Sequence, residues 1–271
     1  MMKQRIITAL LVAPLAIALM LLASSSAVAV IIGGLCLIAM WEWTRLSGMR
    51  SRPLRAVLVA LGGAAMLALW FASLPVWWIF IGIGCAWWVV AFFWLRQFSF
   101  AASPTNENAA IKLVAGALAI LPAWAGLMRL HLTQGSPHTW ALYALAVIWV
   151  ADSFAYLAGS RWGRVKLAPQ ISPGKTREGL YGALVSTAVL AAFGGWLLEV
   201  RGLTLFLLVI VALISAVFSV VGDLFESLLK RHAGVKDSGA LFPGHGGVCD
   251  RLDGVFAALP FFALGKALLG L

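Results

Sequence analysis

The sequence has little charge and little cysteine for its length. Only 11% of its 271 residues are charged, whereas 62% are hydrophobic and the mean hydropathy is +0.98; soluble domains have roughly 25% charged residues. A chain of this size cannot bury so much apolar surface in a water-soluble fold, so we expect it to lie in a bilayer. Cys36, Cys85 and Cys249 are far apart and show no CxxC spacing, which argues against a disulfide or zinc framework.

Apolar segments long enough to cross a bilayer recur along the chain. A helical span needs ~20 residues, and this length predicts an all-α, polytopic transmembrane helical bundle of about nine spans. The first span follows Lys3 and Arg5 as in a signal peptide, but its apolar run exceeds the ~7–15 residues of a signal-peptide core, which favours an uncleaved helix. The predicted spans are 6–24, 27–44, 54–72, 76–95, 111–130, 139–159, 179–198, 203–226 and 252–270.

Lysine and arginine are distributed unevenly among the connecting loops. With nine spans and a cytoplasmic N-terminus, all of them except Arg129, Arg201 and Lys266 fall on one side of the membrane. Cytoplasmic loops carry this excess of positive charge. The net charge of +10 therefore indicates membrane lipids or anionic substrates nearby, and we expect no nucleic-acid binding because no basic, aromatic-interleaved module is present. The thirteen tryptophans are expected mostly at lipid-facing positions or in the aromatic belts at the membrane surface.

The chain divides into two membrane regions that differ in the polar residues of their loops. Residues 1–110 form an N-terminal region of about four helices with a basic loop at 45–55. Residues 111–271 form a C-terminal catalytic region of about five helices. Two loops of this second region, 159–179 and 230–251, are rich in glycine, proline, lysine and arginine, and both follow helices that carry acidic residues.

Acidic residues are scarce, and several lie in predicted spans. Asp152, if ionised at that depth, costs at least ~2.5 kcal/mol unless it faces the bundle interior with a partner; a structural contact between helices is the alternative to a functional role. Asp223 and Glu226 are three residues apart and share a helix face, as do Asp250 and Asp253. Carboxylates gathered this closely repel each other unless a cation lies between them. Oxygen ligands favour Mg²⁺, although the second pair is explained equally well by capping of a helix N-terminus.

The loop 230–251 combines cations, glycines and one histidine. Glycines just before a helix N-terminus let backbone N–H groups approach a phosphate closely. His245 is expected to bind phosphate rather than act as a base, because a phosphate monoester is already nucleophilic at neutral pH. A solvated basic loop is the simpler alternative. The residues expected to meet phosphate here are Lys230, Arg231, Lys236, His245, Gly246, Gly247 and Arg251.

The loop 159–179 is a second candidate phosphate site. It contains a Gly-Lys-Thr triplet, but it is not a P-loop, because the required earlier glycine is absent and no strand is predicted before it. We expect Lys166 and Lys175 to meet phosphate and Ser172 or Thr176 to cap the seventh helix. The arginines of this loop could attract anionic lipid instead.

These motifs together resemble a known family. S-x-L-K-R at 227–231, K-D-x-G at 236–239 and F-P-x-H-G-G-V-x-D-R-L-D at 242–253 look like the full signature of the phosphatidate cytidylyltransferases, also called CDP-diacylglycerol synthases. Positions between Asp152 and Gly179 resemble the family's second motif. The resemblance implies transfer of a cytidylyl group from CTP to phosphatidate, giving CDP-diacylglycerol and pyrophosphate. It also implies Mg²⁺, a paired Mg²⁺ and K⁺ site held by aspartates, and a homodimer.

The resemblance assigns roles to the residues above. We expect an active site that faces the cytoplasm from a bacterial inner membrane. The expected metal ligands are Asp223 and Asp250, with Glu226 and Asp253 shaping the outer shell. The expected catalytic residues are Asp223, Asp250, Lys236 and His245, and the expected substrate-binding residues are Lys166, Ser172, Lys175, Thr176, Lys230, Arg231, Gly246, Gly247 and Arg251.

Two other functions are compatible with parts of this pattern. A membrane enzyme could use CTP on a different lipid, but the full signature argues against it. A transporter of anions or lipids would suit broken helices and intramembrane acids. However, the polar residues cluster at one face of the membrane rather than at its midplane, and no inverted repeat is visible.

Overall fold

Apolar segments separated by serine, proline and glycine turns fold into nine helices in the part of the chain that the structure describes. The structure is a computed structural model that describes residues 14–133, 138–241 and 246–271. The helices are α1 (described over 14–22), α2 (Ser25–Leu46), α3 (Arg52–Trp70), α4 (Leu74–Trp94), α5 (Asn106–His131), α6 (Thr139–Trp162), α7 (Arg177–Leu197), α8 (Gly202–His232) and α9 (Cys249–Leu268).

Helix starts follow local capping chemistry. The hydroxyls of Ser24, Ser51 and Thr105 accept hydrogen bonds from backbone N–H groups three residues onward, at the starts of α2, α3 and α5. A side-chain acceptor at this position satisfies one of the unpaired N–H groups of the first turn. Proline in the first turn of α3 and of α4 fits because that position needs no N–H donor.

Among the residues that the structure describes, seven helices, α2 to α8, are long and apolar enough to cross a membrane. The prediction of an all-α polytopic bundle is therefore confirmed, whereas the count of nine spans and the cytoplasmic N-terminus stay predictions. The ninth predicted span corresponds to α9. This helix carries Asp250, Arg251, Asp253 and Lys266, and is too charged to count as a span by the length and composition that define the other seven. The division at residue 110 also stays a prediction. Helices from the two sides of it are in contact, because α2 and α4 pack against α5.

One short hairpin interrupts the helices between α6 and α7. Strand β1 (Lys166–Ala168) pairs antiparallel with β2 (Ser172–Thr176), with Lys166 opposite Thr176 and Ala168 opposite Ser172. This segment was expected to be a plain loop. Its glycine, prolines and basic residues gave no alternating pattern from which a strand could be predicted.

The C-terminal helices pack most closely where side chains are small. Helix α8 lies along α9, and a Cβ at Gly222 would approach the backbone carbonyl of Asp253 to 2.3 Å, so glycine is required for this contact. Beside it, Phe225 is fully buried in a cage of tryptophans from α2 and α4. The expectation that tryptophans mostly face lipid is wrong for six buried ones: Trp43, Trp77, Trp88, Trp94, Trp124 and Trp140.

Four connections meet at one end of the bundle. Arg45, at the end of α2, donates to the carbonyl of Asp237 at 3.4 Å. His232, at the end of α8, lies 2.6 Å from the carbonyl of Phe98 in the α4–α5 connection. These contacts, and those of the hairpin described below, gather the loops after α2, α4, α6 and α8 onto the same face of the protein. The loops predicted to be cytoplasmic are thus adjacent in space.

Candidate active site at one end of the bundle

The last turns of α8 carry the first part of the site. Helix α8 extends to His232, so Lys230 and Arg231 lie on the helix rather than in the loop where they were expected. Lys230 is four residues after Glu226 and forms an ion pair with it at 2.5 Å. The Glu226 side chain is only 1% exposed. This pairing follows directly from the extension of the helix, because residues four apart face each other.

Asp250 joins this pair from the first turn of α9. Its Oδ1 lies 2.6 Å from Lys230 Nζ, so one ammonium bridges Glu226 and Asp250. Its Oδ2 accepts from the N–H and hydroxyl of Ser238, both at 2.8 Å, and from the N–H of Gly247 at 2.7 Å. Burial alone would raise the pKa of Asp250, but the hydrogen bonds from Lys230 and Gly247 hold that pKa below its ordinary value.

Asp250 therefore joins the start of α9 to the chain before it. It accepts from N–H groups of residues that precede the helix, and its hydrogen bond back to Gly247, three residues earlier, has the geometry of a capping box. Its carboxylate fixes Ser238 and Gly247 on the two sides of the segment 242–245. A Cβ at Gly247 would lie within 2.4 Å of the oxygens that surround it, which accounts for glycine at this position.

Glu42, which our sequence reasoning missed, supplies the cap of α9. It is buried in α2, with 7% exposure, and accepts from the N–H groups of Val248 and Cys249 at 3.1 and 2.9 Å. The Ser238 hydroxyl has one hydrogen to donate and lies 2.9 Å from Glu42 and 2.8 Å from Asp250, so the two carboxylates share it. A carboxylate at a helix N-terminus is favoured by the helix dipole. The signal was present, since Glu42 is an acid inside an apolar predicted span, where an ionisable residue indicates a functional role.

A second group of charges lies beside the first. Lys175, in β2, forms an ion pair with Asp223 at 2.5 Å, and the Asp223 side chain remains 42% exposed. Asp152 and Asp253 are electrostatic neighbours of both of these residues. Asp152 also accepts a long hydrogen bond of 3.4 Å from Ser219 on α8. Helices α6, α8 and α9 and the hairpin thus each contribute one charged residue to this group.

The hairpin is held against the helices by its predicted residues. Thr176 accepts from the N–H of Gly179 at 3.2 Å, which confirms the predicted cap of the seventh predicted span, now α7. Arg231 donates to the carbonyl of Ile171 at 3.2 Å, so its Nε is used to hold the hairpin turn on α8. Lys166 is exposed and Ser172 half-buried, on opposite strands of the hairpin.

The remaining predicted residues surround these two groups. Lys236 and Arg251 are exposed, on either side of the closed loop. Gly246 has φ of +81°, a conformation that favours glycine, and the N–H of Gly247 donates to Asp250. His245 lies outside the described residues. The phosphate-binding roles of all five stay predictions.

The oxygen donors of this site suit a hard divalent cation. Among the described residues, no three His, Cys, Asp or Glu side chains converge as a preformed metal cluster. Each of the two predicted metal ligands instead has a lysine ammonium against it, Lys175 on Asp223 and Lys230 on Asp250. Each ammonium neutralises its aspartate, so a divalent ion would take the place of these lysines. Carboxylates match the preference of Mg²⁺ for oxygen ligands, so the residues fit the predicted ion in donor type.

Comparison with known proteins gives consistent matches over the whole chain. A sequence profile described as "Cytidylyltransferase family" matches residues 3–268. A phosphatidate cytidylyltransferase of Pseudomonas aeruginosa is 38% identical over 97% of this chain and 96% of its own length. One from Haemophilus influenzae is 33% identical over 97% and 98%. One from Bacillus subtilis is 46% identical over 45% of each chain.

Proposed function

The chain belongs to the cytidylyltransferase family, and on this premise we propose how it transfers a cytidylyl group from CTP to phosphatidate in phospholipid biosynthesis. The observation that carries the proposal is the line of alternating charges at one end of the bundle. Lys175 pairs with Asp223, and Lys230 bridges Glu226 and Asp250. Two highly charged phosphate compounds can meet only where cations neutralise them. The carboxylates of this line outnumber its two lysines, so it is a place where a divalent cation would bind and leave the lysines to meet phosphate.

The reaction needs positioning and charge neutralisation more than proton transfer. An oxygen of the phosphatidate phosphate forms a bond to the α-phosphorus of CTP, and the bond from that phosphorus to the bridging oxygen of the β-phosphate breaks. Pyrophosphate leaves with the electron pair of the broken bond. The attacking oxygen is already ionised at neutral pH, so no strong general base is required. Lys175 and Lys230 neutralise charge that builds up on the phosphates, and exposed Lys236 and Arg251 extend the same field.

The backbone around Asp250 keeps this arrangement rigid. Glu42 fixes the start of α9 while Asp250 fixes Ser238 and Gly247. A site that is ordered before substrate arrives loses less freedom when it binds. The N–H groups of Gly247, Val248 and Cys249 are already used by Asp250 and Glu42, so the exposed cations beside the loop, Lys236 and Arg251, are left to meet a nucleotide phosphate. We propose that CTP binds over this loop and that Lys166 and Lys175 contact its phosphates from the hairpin.

We propose Mg²⁺ as the metal, held by Asp223 and Asp250, with Glu226 and Asp253 in its outer shell and K⁺ as a candidate partner ion. When bound, a divalent ion would stabilise the negative charge that develops on the reacting phosphates. The support for this proposal is the oxygen-only donor set, in which the ion would take the place that a lysine ammonium occupies beside each aspartate.

We further propose that the protein lies in a bacterial inner membrane with this site facing the cytoplasm, as a homodimer. The lysine and arginine asymmetry supports the orientation. The family membership removes the support for a transporter.

Pyrophosphate release by the purified protein tests the proposal. In detergent, release should require phosphatidate, CTP and Mg²⁺ together, and omission of any one should reduce it to background. Diacylglycerol or an isoprenoid alcohol in place of phosphatidate should give none. Equal turnover with one of those alcohols, or turnover without Mg²⁺, would contradict the proposed reaction.

A further inference from the structure

A cleft beside the loop before α9 has no role in the mechanism above. Its volume is about 390 Å³, and sites for small molecules measure roughly 300–1,000 Å³. The segment 238–241 forms one wall, and the N–H of Ser238 donates to Asp250 at 2.8 Å, so the cleft adjoins the proposed reaction site. A second wall is one face of α2, with the i, i+3, i+4, i+7 spacing of a helix stripe. Its residues are Ile38, Trp41, Glu42 and Arg45.

The lining of this cleft suits a nucleotide base better than a phosphate. Ile38 and Leu241 contribute hydrocarbon, and the side chain of Trp41 is 37% exposed beside them. The guanidinium of Arg55 lies over the Trp41 ring at 3.9 Å, and the exposed part of the ring is left for a ligand. Aromatic rings of this kind stack on bases. The carboxylate of Glu42 also lines the cleft and would repel a phosphate. A base is flat and uncharged, with its polar atoms along one edge, and it meets all of these conditions.

Glu42 and Arg45 offer an acceptor and several donors on the same face of α2. They are three residues apart, and both line the cleft. Within the described part of the chain, the Arg45 guanidinium makes one hydrogen bond, from Nη2 to the Asp237 carbonyl at 3.4 Å, so Nε and Nη1 remain to donate. The Oε1 atom of Glu42 accepts from the N–H of Val248 alone among the described residues. A carboxylate oxygen has two lone pairs, so this atom can accept once more.

Cytosine carries the complementary groups along its Watson–Crick edge. Its N4 amino group donates, whereas N3 and O2 accept side by side, so one carboxylate and one planar guanidinium satisfy all three positions. Uracil reverses the first two groups. Its O4 would face the carboxylate of Glu42 and its N3–H would face the guanidinium of Arg45. A site built to hydrogen-bond one ligand rejects an analogue that leaves those groups unpaired.

We propose that this cleft binds the cytosine base of CTP, with Glu42 accepting from N4 and Arg45 donating to N3 and O2. This inference rests on the proposed function and deepens it, because it assigns the choice of CTP over UTP to two side chains of α2. The triphosphate then extends from the cleft past Ser238 toward the cations beside Asp250. This direction agrees with the proposed position of CTP over the loop before α9.

The role of Arg45 is tested with Arg45→Met, which removes every donor, and Arg45→Lys, which keeps the charge but not the planar pair of donors. Arg45 is exposed and makes one long backbone hydrogen bond, so both variants should fold, and Arg45→Lys carries the test if Arg45→Met does not. Arg50→Met is the matched control, because Arg50 is exposed in the same basic segment and does not line the cleft.

The measurement is kcat/KM for CTP and for UTP at saturating phosphatidate. Wild type should prefer CTP at least ~100-fold. In Arg45→Met and in Arg45→Lys, kcat/KM for CTP should fall roughly tenfold or more, the loss expected for a charge-assisted hydrogen bond. The value for UTP should not fall, so the preference for CTP shrinks by the same factor. Arg50→Met should keep both values within about twofold of wild type, as should the KM for phosphatidate in every variant.

A CTP analogue with C–H in place of N3 tests the same contact from the side of the ligand. For wild type and for Arg50→Met, kcat/KM should be roughly tenfold lower with this analogue than with CTP. For Arg45→Met the difference should shrink to less than about threefold, because the partner of N3 is already absent and the two changes are not additive. An equal loss with the analogue in wild type and in Arg45→Met would overturn the contact.

Other outcomes separate this inference from the function it rests on. If wild type makes no CDP-diacylglycerol from CTP and phosphatidate, the proposed function fails. If wild type is active and Arg45→Met lowers kcat/KM for CTP and UTP equally, the arginine meets a phosphate rather than a base, and only the base site is refuted. The base site is refuted in the same way if Arg45→Met behaves like Arg50→Met, or if wild type uses UTP as well as CTP.

Discussion

Replacement of Glu42 by glutamine tests the most informative contact that the structure reveals. The carboxylate accepts hydrogen bonds from Val248, Cys249 and Ser238 at 2.9–3.1 Å while nearly buried. A hydrogen bond to a charged group contributes about 1.5–3 kcal/mol. Glutamine keeps one acceptor oxygen but directs its NH₂ group at an N–H or O–H donor. We therefore expect a loss of about 2–4 kcal/mol in the free energy of unfolding.

The same substitution should impair catalysis, because Ser238 is shared between Glu42 and Asp250. If the ordered form of the loop before α9 loses this amount of stability relative to an open, inactive form, kcat should fall roughly thirtyfold or more. Thermal unfolding in detergent and steady-state pyrophosphate release measure the two effects. Glu107→Gln, at an exposed position in the first turn of α5, is the control. A Glu42→Gln variant with wild-type melting temperature and kcat would refute the assignment of Glu42 as the cap that orders the loop.

Three further substitutions probe the packing and electrostatics of the site. Lys230→Met leaves two buried carboxylates without their shared cation and should lower the free energy of unfolding by about 3–5 kcal/mol, whereas Lys236→Met at an exposed position should leave thermal unfolding unchanged. Gly222→Val forces a side chain into the backbone of α9 and should lower the free energy of unfolding by about 1–3 kcal/mol or more. Gly34→Val is the control, because Gly34 has open space around it. Thr176→Val should cost about 1 kcal/mol of stability through the lost cap, and Thr176→Ser should restore it.

The architecture of the C-terminal half was predictable because its signals are local. Apolar runs of membrane length give the helices, and the three-residue spacing places Asp223 and Glu226 on one face. The cap at Thr176 follows from a hydroxyl immediately before an apolar helical pattern. The signature motif further predicted that α8, α9 and the hairpin would contribute to one site.

The rest depends on contacts between distant parts of the chain. Glu42 lies more than 200 residues before the N–H groups that it accepts, and no local pattern pairs them. Lys230 was assigned to a loop because its charge ends the apolar run, although the helix continues past it and is stabilised there by the ion pair with Glu226. The buried tryptophans were misassigned because composition does not distinguish a lipid-facing ring from one that packs around Phe225.

Turnover by Asp223→Asn is the most direct test of the central claim that carboxylates of α8 and α9, with their cations, bring two phosphates together. Glu107→Gln, which removes an acid at an exposed position outside the signature motifs, is the control. We predict that Asp223→Asn folds with a normal melting temperature. It should release pyrophosphate from CTP and phosphatidate at least ~100-fold more slowly at any Mg²⁺ concentration, which corresponds to about 2.7 kcal/mol. The control should be fully active. Near-normal turnover by Asp223→Asn would contradict the claim.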